Sequence, residues 1–236
     1  MFLLSLTVAP VLVILCYIYF RDTYEKEPIA VLLKTFAGGA CILFPVMFIE
    51  IGLDALWGSV HAKQGVAYAG FTSFFVAGFN EEIFKFAVLA FLIWRRKEFN
   101  ERFDGIVYAV FVSLGFAFVE NCFYVLSGGA GVGVIRMFTA VPAHAMFGAA
   151  MGYYFGHARF MPVKRKQYLF LALAVPISIH GLYDFILLSK IEMLLGLFVP
   201  FMLYLLYKTH RFLKEHSLHS PSDLQRSSSS DGGSHQ

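Results

Sequence analysis

Charge is scarce in this chain. Lys, Arg, Asp and Glu make up 15% of its residues and hydrophobic residues 58%, whereas a soluble domain carries about 25% charged residues. That supply cannot cover a water-facing surface, which excludes an ordinary soluble globular fold. Cysteine is scarce too. Cys16, Cys41 and Cys122 lie in apolar stretches with no CxxC or Cys/His ligand spacing, which argues against a disulfide framework or a cysteine zinc site and leaves them as buried small hydrophobes. The HExxH pairing of the zinc proteases is absent. The formal net charge is only +3 and the basic residues sit in loops, so no nucleic-acid partner is expected. No basic residue precedes the first apolar run and no small-residue cleavage site is present. That run therefore reads as an uncleaved spanning helix and not as a signal peptide.

What is present in abundance is apolar sequence in lengths that fit a bilayer. A span needs roughly 17–25 mainly apolar residues, and residues 3–20, 29–53, 71–94, 105–125, 137–156, 168–187 and 191–207 meet or nearly meet that length. The expected fold is all-α, a polytopic transmembrane helical bundle of about seven spans, with an eighth partial or re-entrant segment at 57–69 as the alternative. Residues 1–214 form the membrane domain. Residues 215–236, rich in Ser, Gly, Asp and His, read as a disordered cytoplasmic tail.

Orientation follows from the basic residues. Arg21, Lys26 and Lys34 flank the first connection; Arg95, Arg96, Lys97 and Arg102 fill the third; Arg159, Lys164, Arg165 and Lys166 fill the fifth; Lys208, Arg211, Lys214 and Arg226 follow the last span. Only Lys63, Arg136 and Lys190 fall on the opposite side, with Lys85 inside a span. This bias predicts an outside amino terminus and a cytoplasmic carboxyl terminus.

Ionisable residues within spans are costly and mark function by default. Here they are Glu81, Glu82, Lys85, Glu120, His144, His180 and Asp184, with Glu50 near an outer span end. Glu81 lies ten residues below Phe71, about 15 Å along a helix, and the others fall at matching depths on three further spans. One polar layer on four helices implies a shared cavity in the outer half of the bundle. Glu81 and Lys85 are i,i+4 and share a face, so Lys85 reads as charge compensation. His180 and Asp184 repeat that spacing, which lets the carboxylate accept from one imidazole nitrogen and leaves the other aimed into the cavity. His144 heads a four-residue ladder with Gly148, Gly152 and Gly156, a seam for close helix contact; it serves either interhelical hydrogen bonding or the site. Asp104 reads as a helix N-cap, Glu50 and Asp54 as interfacial, and Pro142 and Pro176 as kink positions.

Carboxylates and imidazoles without a paired serine or cysteine suit water activation by a buried glutamate, with Glu81 and Glu120 on either side of one water. Two other classes use similar residues. A metal-dependent hydrolase could hold iron, manganese or zinc on the same groups, and a proton- or ion-coupled transporter also keeps acids at the midplane.

Three motifs narrow the field. Glu81-Glu82-Ile83-Phe84-Lys85 reads EExxK, Phe116 to Glu120 reads FxxxE, and His180 to Asp184 reads HxxxD, in that order on separate spans. Together with RFDGIVYA and GFAFVEN they resemble the PrsW family of membrane proteases, which is similar to the type II CAAX prenyl endopeptidases with their EExxxR, FxxxH and HxxxN. Glu120 stands where the latter have histidine. The resemblance implies Glu81 as water-activating base, Glu120 as its partner, His180 as oxyanion donor or proton shuttle and Asp184 as its orienting group. Glu82 completes the catalytic set, and Lys85 and His144 support it. It further implies a glutamate-type endopeptidase with no cofactor and no metal, in the cell membrane. Its substrate would be a single-pass membrane protein, an RsiW-like anti-sigma factor cut on its outer side in the first step of regulated intramembrane proteolysis during a stress response.

Overall fold

The structure is a computed structural model that describes residues 2–22 and 25–217. It is built from helices α1 (Phe2–Arg21), α2 (Ile29–Cys41), α3 (Leu43–Val60) and α4 (Gly65–Phe71). A π-helical segment, Thr72–Phe79, leads into α5 (Asn80–Ile93), followed by α6 (Arg102–Phe138), α7 (Ala140–Phe160), α8 (Arg165–Leu188) and α9 (Glu192–Ser217). No strand occurs among the described residues. Among the described residues five helical stretches are long and apolar enough to cross a membrane: Leu3–Arg21, Ile29–Val60, Arg102–Phe160, Pro162–Leu188 and Glu192–Glu215. The protein is thus an all-α, multi-pass membrane protein. The third stretch contains two antiparallel helices, α6 and α7, whereas the run through α5 carries Glu81, Glu82 and Lys85 and so reads as less apolar. Residues 57–69 form the end of α3, a turn and the start of α4. Helix α9 continues through 215–217; the remainder of the Ser-rich tail lies outside the described residues.

The core is organised around α6. Every residue from Phe103 to Ala117 is buried, which suits a helix that is apolar all round, and α1, α2 and α7 pack along it. Glycines set the approach. A Cβ on Gly105 would lie 2.6 Å from Gly152 O, and one on Gly115 would collide with Phe36 O. Backbones touch directly at both crossings, as small residues permit in membranes. Gly148, Gly152 and Gly156 of α7 all face α6 in this way.

Several local expectations are corrected. Asp104 is the third residue of α6, not its N-cap. Glu101 caps the helix, and Asp104 Oδ2 accepts from Glu101 N at 2.6 Å and Asn100 N at 2.9 Å, a reciprocal capping box. The cysteines are not core residues. Cys16 and Cys41 are exposed and Cys122 is partly so, on the outer face of the bundle where a bilayer can solvate a small apolar group. Pro142 falls in the first turn of α7, where a missing N–H breaks no helical bond.

Near the start of α6, acids gather at the connection that follows α1. Glu27 is 4% exposed and accepts a hydrogen bond from Tyr108 OH. Burial, reinforced by the neighbouring Asp104 carboxyl, holds Glu27 well above the usual carboxylate range. Burial likewise pushes Asp22 up to about 6, against the pull of Lys26. The folded protein therefore binds these protons more tightly than the unfolded chain does, and its stability falls as pH rises. The melting temperature of the detergent-solubilised protein should drop from about pH 4, where Asp22 ionises when unfolded, onward into the alkaline range as Glu27 follows. Glu27→Gln should flatten the upper part of that slope. A wild-type profile that is flat above neutrality would refute the account.

Candidate active site

The polar layer is assembled where α5 meets α6, α7 and α8. The π-helical segment Thr72–Phe79 leads directly into α5, and π-turns are frequent at functional sites. Gly78 brings this segment onto α8, where an added Cβ would lie 3.1 Å from Gly181 N, and Asn80 Nδ2 donates to Val46 O of α3 at 3.1 Å. Glu81, Glu82 and Lys85 are thereby delivered to His180 and His144.

Lys85 is 1% exposed. Its Nζ donates to Glu81 Oε2 at 2.9 Å and Glu82 Oε1 at 2.8 Å, and approaches His144 Nδ1 to 3.2 Å. The ammonium also lies 4.3 Å from the centroid of the Phe116 ring, a cation–π contact. Ammonium has no acceptor, so His144 Nδ1 must accept. The imidazole proton then sits on Nε2, which donates to Glu120 Oε2 at 3.0 Å. His180 is placed differently. Its Nδ1 meets Glu82 Oε1 at 2.9 Å and its Nε2 meets Asp184 Oδ2 at 3.3 Å, with Glu81 Oε2 4.0 Å away. Both nitrogens face carboxylates, so satisfying both bonds requires an imidazolium or a proton shared with an acid. The Phe147 ring stacks on the imidazole, centroids 4.7 Å apart. Glu82 is fully buried, and its Oε2 has no hydrogen-bond partner among the described residues.

Two adjoining cavities meet at the acids. A polar one of about 210 Å³ is lined by Glu50, Glu81, Glu120, Arg136, His144, His180 and Asp184 among others. A mainly apolar one of about 340 Å³, bordered by Leu43, Met47, Phe116, Phe123 and Tyr124, reaches the same Glu50, Glu81 and Glu120. The carboxylates thus stand between a chamber fit for water and a chamber fit for apolar side chains. Glu81, Glu82 and His144 also place one ligand atom each within 4.8 Å of one another, the donor types that suit a borderline divalent cation. Lys85 Nζ bonds to all three of these residues.

All seven residues singled out from the sequence come together here. Four details differ from expectation. The second nitrogen of His180 is turned onto Glu82 and away from the cavity, and Glu82 borders neither cavity. Glu50, read as interfacial, lines both cavities. Arg136 falls between the apolar runs 105–125 and 137–156 and so is expected in an outer loop. It in fact donates from Nη2 to Glu120 Oε2 at 2.6 Å. The available signal was the glycine cluster at 128–133 inside an otherwise helical run, which marks a break.

Carboxylates and imidazoles ringing a polar cavity within a helical membrane bundle are the equipment of an intramembrane hydrolase. Residues 27–207 match the PrsW family intramembrane metalloprotease profile. Protease PrsW of Geobacillus kaustophilus is 40% identical over 189 residues, 80% of each chain. Protease PrsW of Bacillus subtilis is 38% identical over 205 residues, 86% of this chain and 90% of that one, and the Halalkalibacterium halodurans protein is 37% identical over 203 residues, 86% and 91%. No solved structure matches the chain. The chain belongs to the PrsW family and is a membrane protease.

Removing one partner from a buried ion pair costs about 3–5 kcal/mol because the other charge is left stranded. Lys85→Met should therefore lower the amount of folded, monodisperse protein recovered from membranes, and Lys85→Met with Glu82→Gln should restore part of it. Equal recovery of Lys85→Met and wild type would show that the cluster is not held by the ammonium.

Proposed function

We propose that this protease hydrolyses a single-pass membrane protein, an RsiW-like anti-sigma factor by family resemblance, at its extracellular juxtamembrane stretch, with water activated by Glu81. The observation that carries the reading is that Glu81 and Glu120 border the same polar cavity and also the apolar chamber beside it. A substrate helix is closed to attack because its carbonyls are bonded along the chain, so an unwound segment with apolar side chains is what two such chambers accommodate. Glu81 takes a proton from water and the hydroxide adds to the peptide carbonyl. His180 turns its Nε2–H from its long bond with Asp184 to hydrogen-bond the oxyanion, and as the oxyanion collapses and the C–N bond breaks Glu81 returns the proton to the leaving amine. Asp184 and Glu82 orient His180, while Glu120 orients His144 and the water. The basic-loop bias supports reading this half of the bundle as the outward-facing one.

A second reading has an observation of its own. Glu81, Glu82 and His144 are spaced to hold a divalent ion, and the buried Glu82 Oε2 lacks a partner; the family's description as a metalloprotease family points the same way. An ion there would act as a Lewis acid toward water or carbonyl. The two readings differ in where Lys85 stands, because its ammonium bonds to the three residues that would be the ligands.

Purified protein in liposomes, incubated with a panel of single-pass substrates, tests both readings. New amino termini should map to the substrate's outer turns or extracellular juxtamembrane stretch, and Glu81→Gln should lose at least about 100-fold in turnover at unchanged protein level. Cleavage at the cytoplasmic side, or wild-type turnover in Glu81→Gln, would sink the first reading. Activity should survive EDTA and phenanthroline; loss that a single added divalent ion restores would establish the second.

A further inference from the structure

Arg136 lies sixteen residues beyond Glu120, which along an unbroken helix is about 24 Å. It reaches Glu120 because the chain reverses at Gly129. That residue has φ 77° and ψ −169°, a conformation open to glycine and strained for other residues. The returning segment, 130–138, seats itself firmly: an added Cβ on Gly133 would lie 3.0 Å from both Leu6 Cδ1 and Val125 Cγ2. Three side chains from one short stretch of α6 then receive the guanidinium. Nη2 donates to Glu120 Oε2 at 2.6 Å, Nε donates to Asn121 Oδ1 at 3.0 Å, and the group lies 3.8 Å from the centroid of the Tyr124 ring. Asn121 is itself fully buried and anchored to Leu6 O.

Charge compensation alone asks for a cation near Glu120. It does not ask for a planar fork engaged on a carboxylate, an amide and a ring at once, which is what distinguishes arginine from lysine. Glu120 Oε2 takes both Arg136 and His144, while among the described residues no donor is bonded to its Oε1. We propose that Arg136 is a positioning residue of the proteolytic site. It pins Glu120 by one oxygen, so that the other is presented to the cavity at a fixed place opposite Glu81. This rests on the reading of Glu120 as the partner of Glu81.

Three measurements on full-length protein in liposomes decide the matter. Positioning errors of about 1 Å cost roughly 100-fold in rate. Arg136→Gln should therefore lose about that much in kcat with KM nearly unchanged, and Arg136→Lys should recover only part, since it restores the charge without the fork. Hydrogen exchange over 121–138 should stay at wild-type protection in Arg136→Lys; a fall in kcat accompanied by lost protection there would mean that Arg136 only anchors the hairpin, and would overturn the proposal. The infrared carboxylate band assigned to Glu120, by difference against Glu120→Gln, needs no substrate. It should shift in Arg136→Gln. An unmoved band overturns the proposal whatever the cleavage assays give. A shifted band in a protein whose Glu81→Gln variant cleaves normally would leave Arg136 holding Glu120 and place the failure in the reading of Glu81.

Discussion

A single buried ammonium holds the functional half of this protein together. Taking a lysine out of water costs several kcal/mol, and that cost is offset only when carboxylates and further hydrogen bonds surround it closely. Here the groups around Lys85 Nζ other than Glu81 belong to, or are bonded to, another helix. Glu82 bonds His180 of α8, His144 of α7 bonds Glu120 of α6, and the Phe116 ring of α6 closes the remaining side. Helices α5, α6, α7 and α8 are thereby fixed in rotation and in depth relative to one another. A shift of any one of them by a turn would strand a charge in an apolar medium, so the cluster specifies the arrangement at least as much as it stabilises it.

The two ends of α6 divide the labour. From Phe103 to Ala117 the helix is dry, buried on every side and pressed against α2 and α7 through glycine contacts that leave no room for a side chain. Beyond Ala117 it turns polar and partly exposed, with Glu120 and Tyr124 flanking the buried Asn121 and then the reversal at Gly129. A packed stem under a polar head held by its own hydrogen bonds is what precise placement of acids within a membrane calls for. Sites borne on well-packed elements hold their geometry better than sites on loops.

Much of this was legible in the residues. Helical spans, the polar layer and the meeting of Glu81, Glu120, His144, His180 and Asp184 follow from apolar run lengths, i,i+4 spacing and equal depth, because those quantities are fixed by helix geometry. What escaped was set by tertiary contact. Spacing puts Asp184 beside His180, but it cannot say that the other ring nitrogen will be claimed by Glu82 from a different helix. Position in a loop says that Arg136 is charged and outside, yet the reversal that returns it to Glu120 depends on one glycine's backbone and on the seat that Gly133 finds between Leu6 and Val125. The cysteines show the opposite error. An apolar setting in the sequence implied burial in protein, whereas in a bilayer the outer face is apolar as well.

The spans look alike in composition, but their residues are not equally interchangeable. In the apolar part of the Arg102–Phe160 stretch 72% is buried inside the protein, and in that of Glu192–Glu215 only 11%. Lipid tails conform to whatever apolar shape they meet, so along α9 one aliphatic residue can stand in for another at little cost. At Gly105, Gly115, Gly152 and Gly156 of α6 and α7 the neighbour is a backbone a few ångströms away, and even a methyl group in place of a hydrogen forces two helices apart. Hydropathy, which ranks these segments together, is therefore blind to the difference between a residue that must merely be oily and one that must be a particular size.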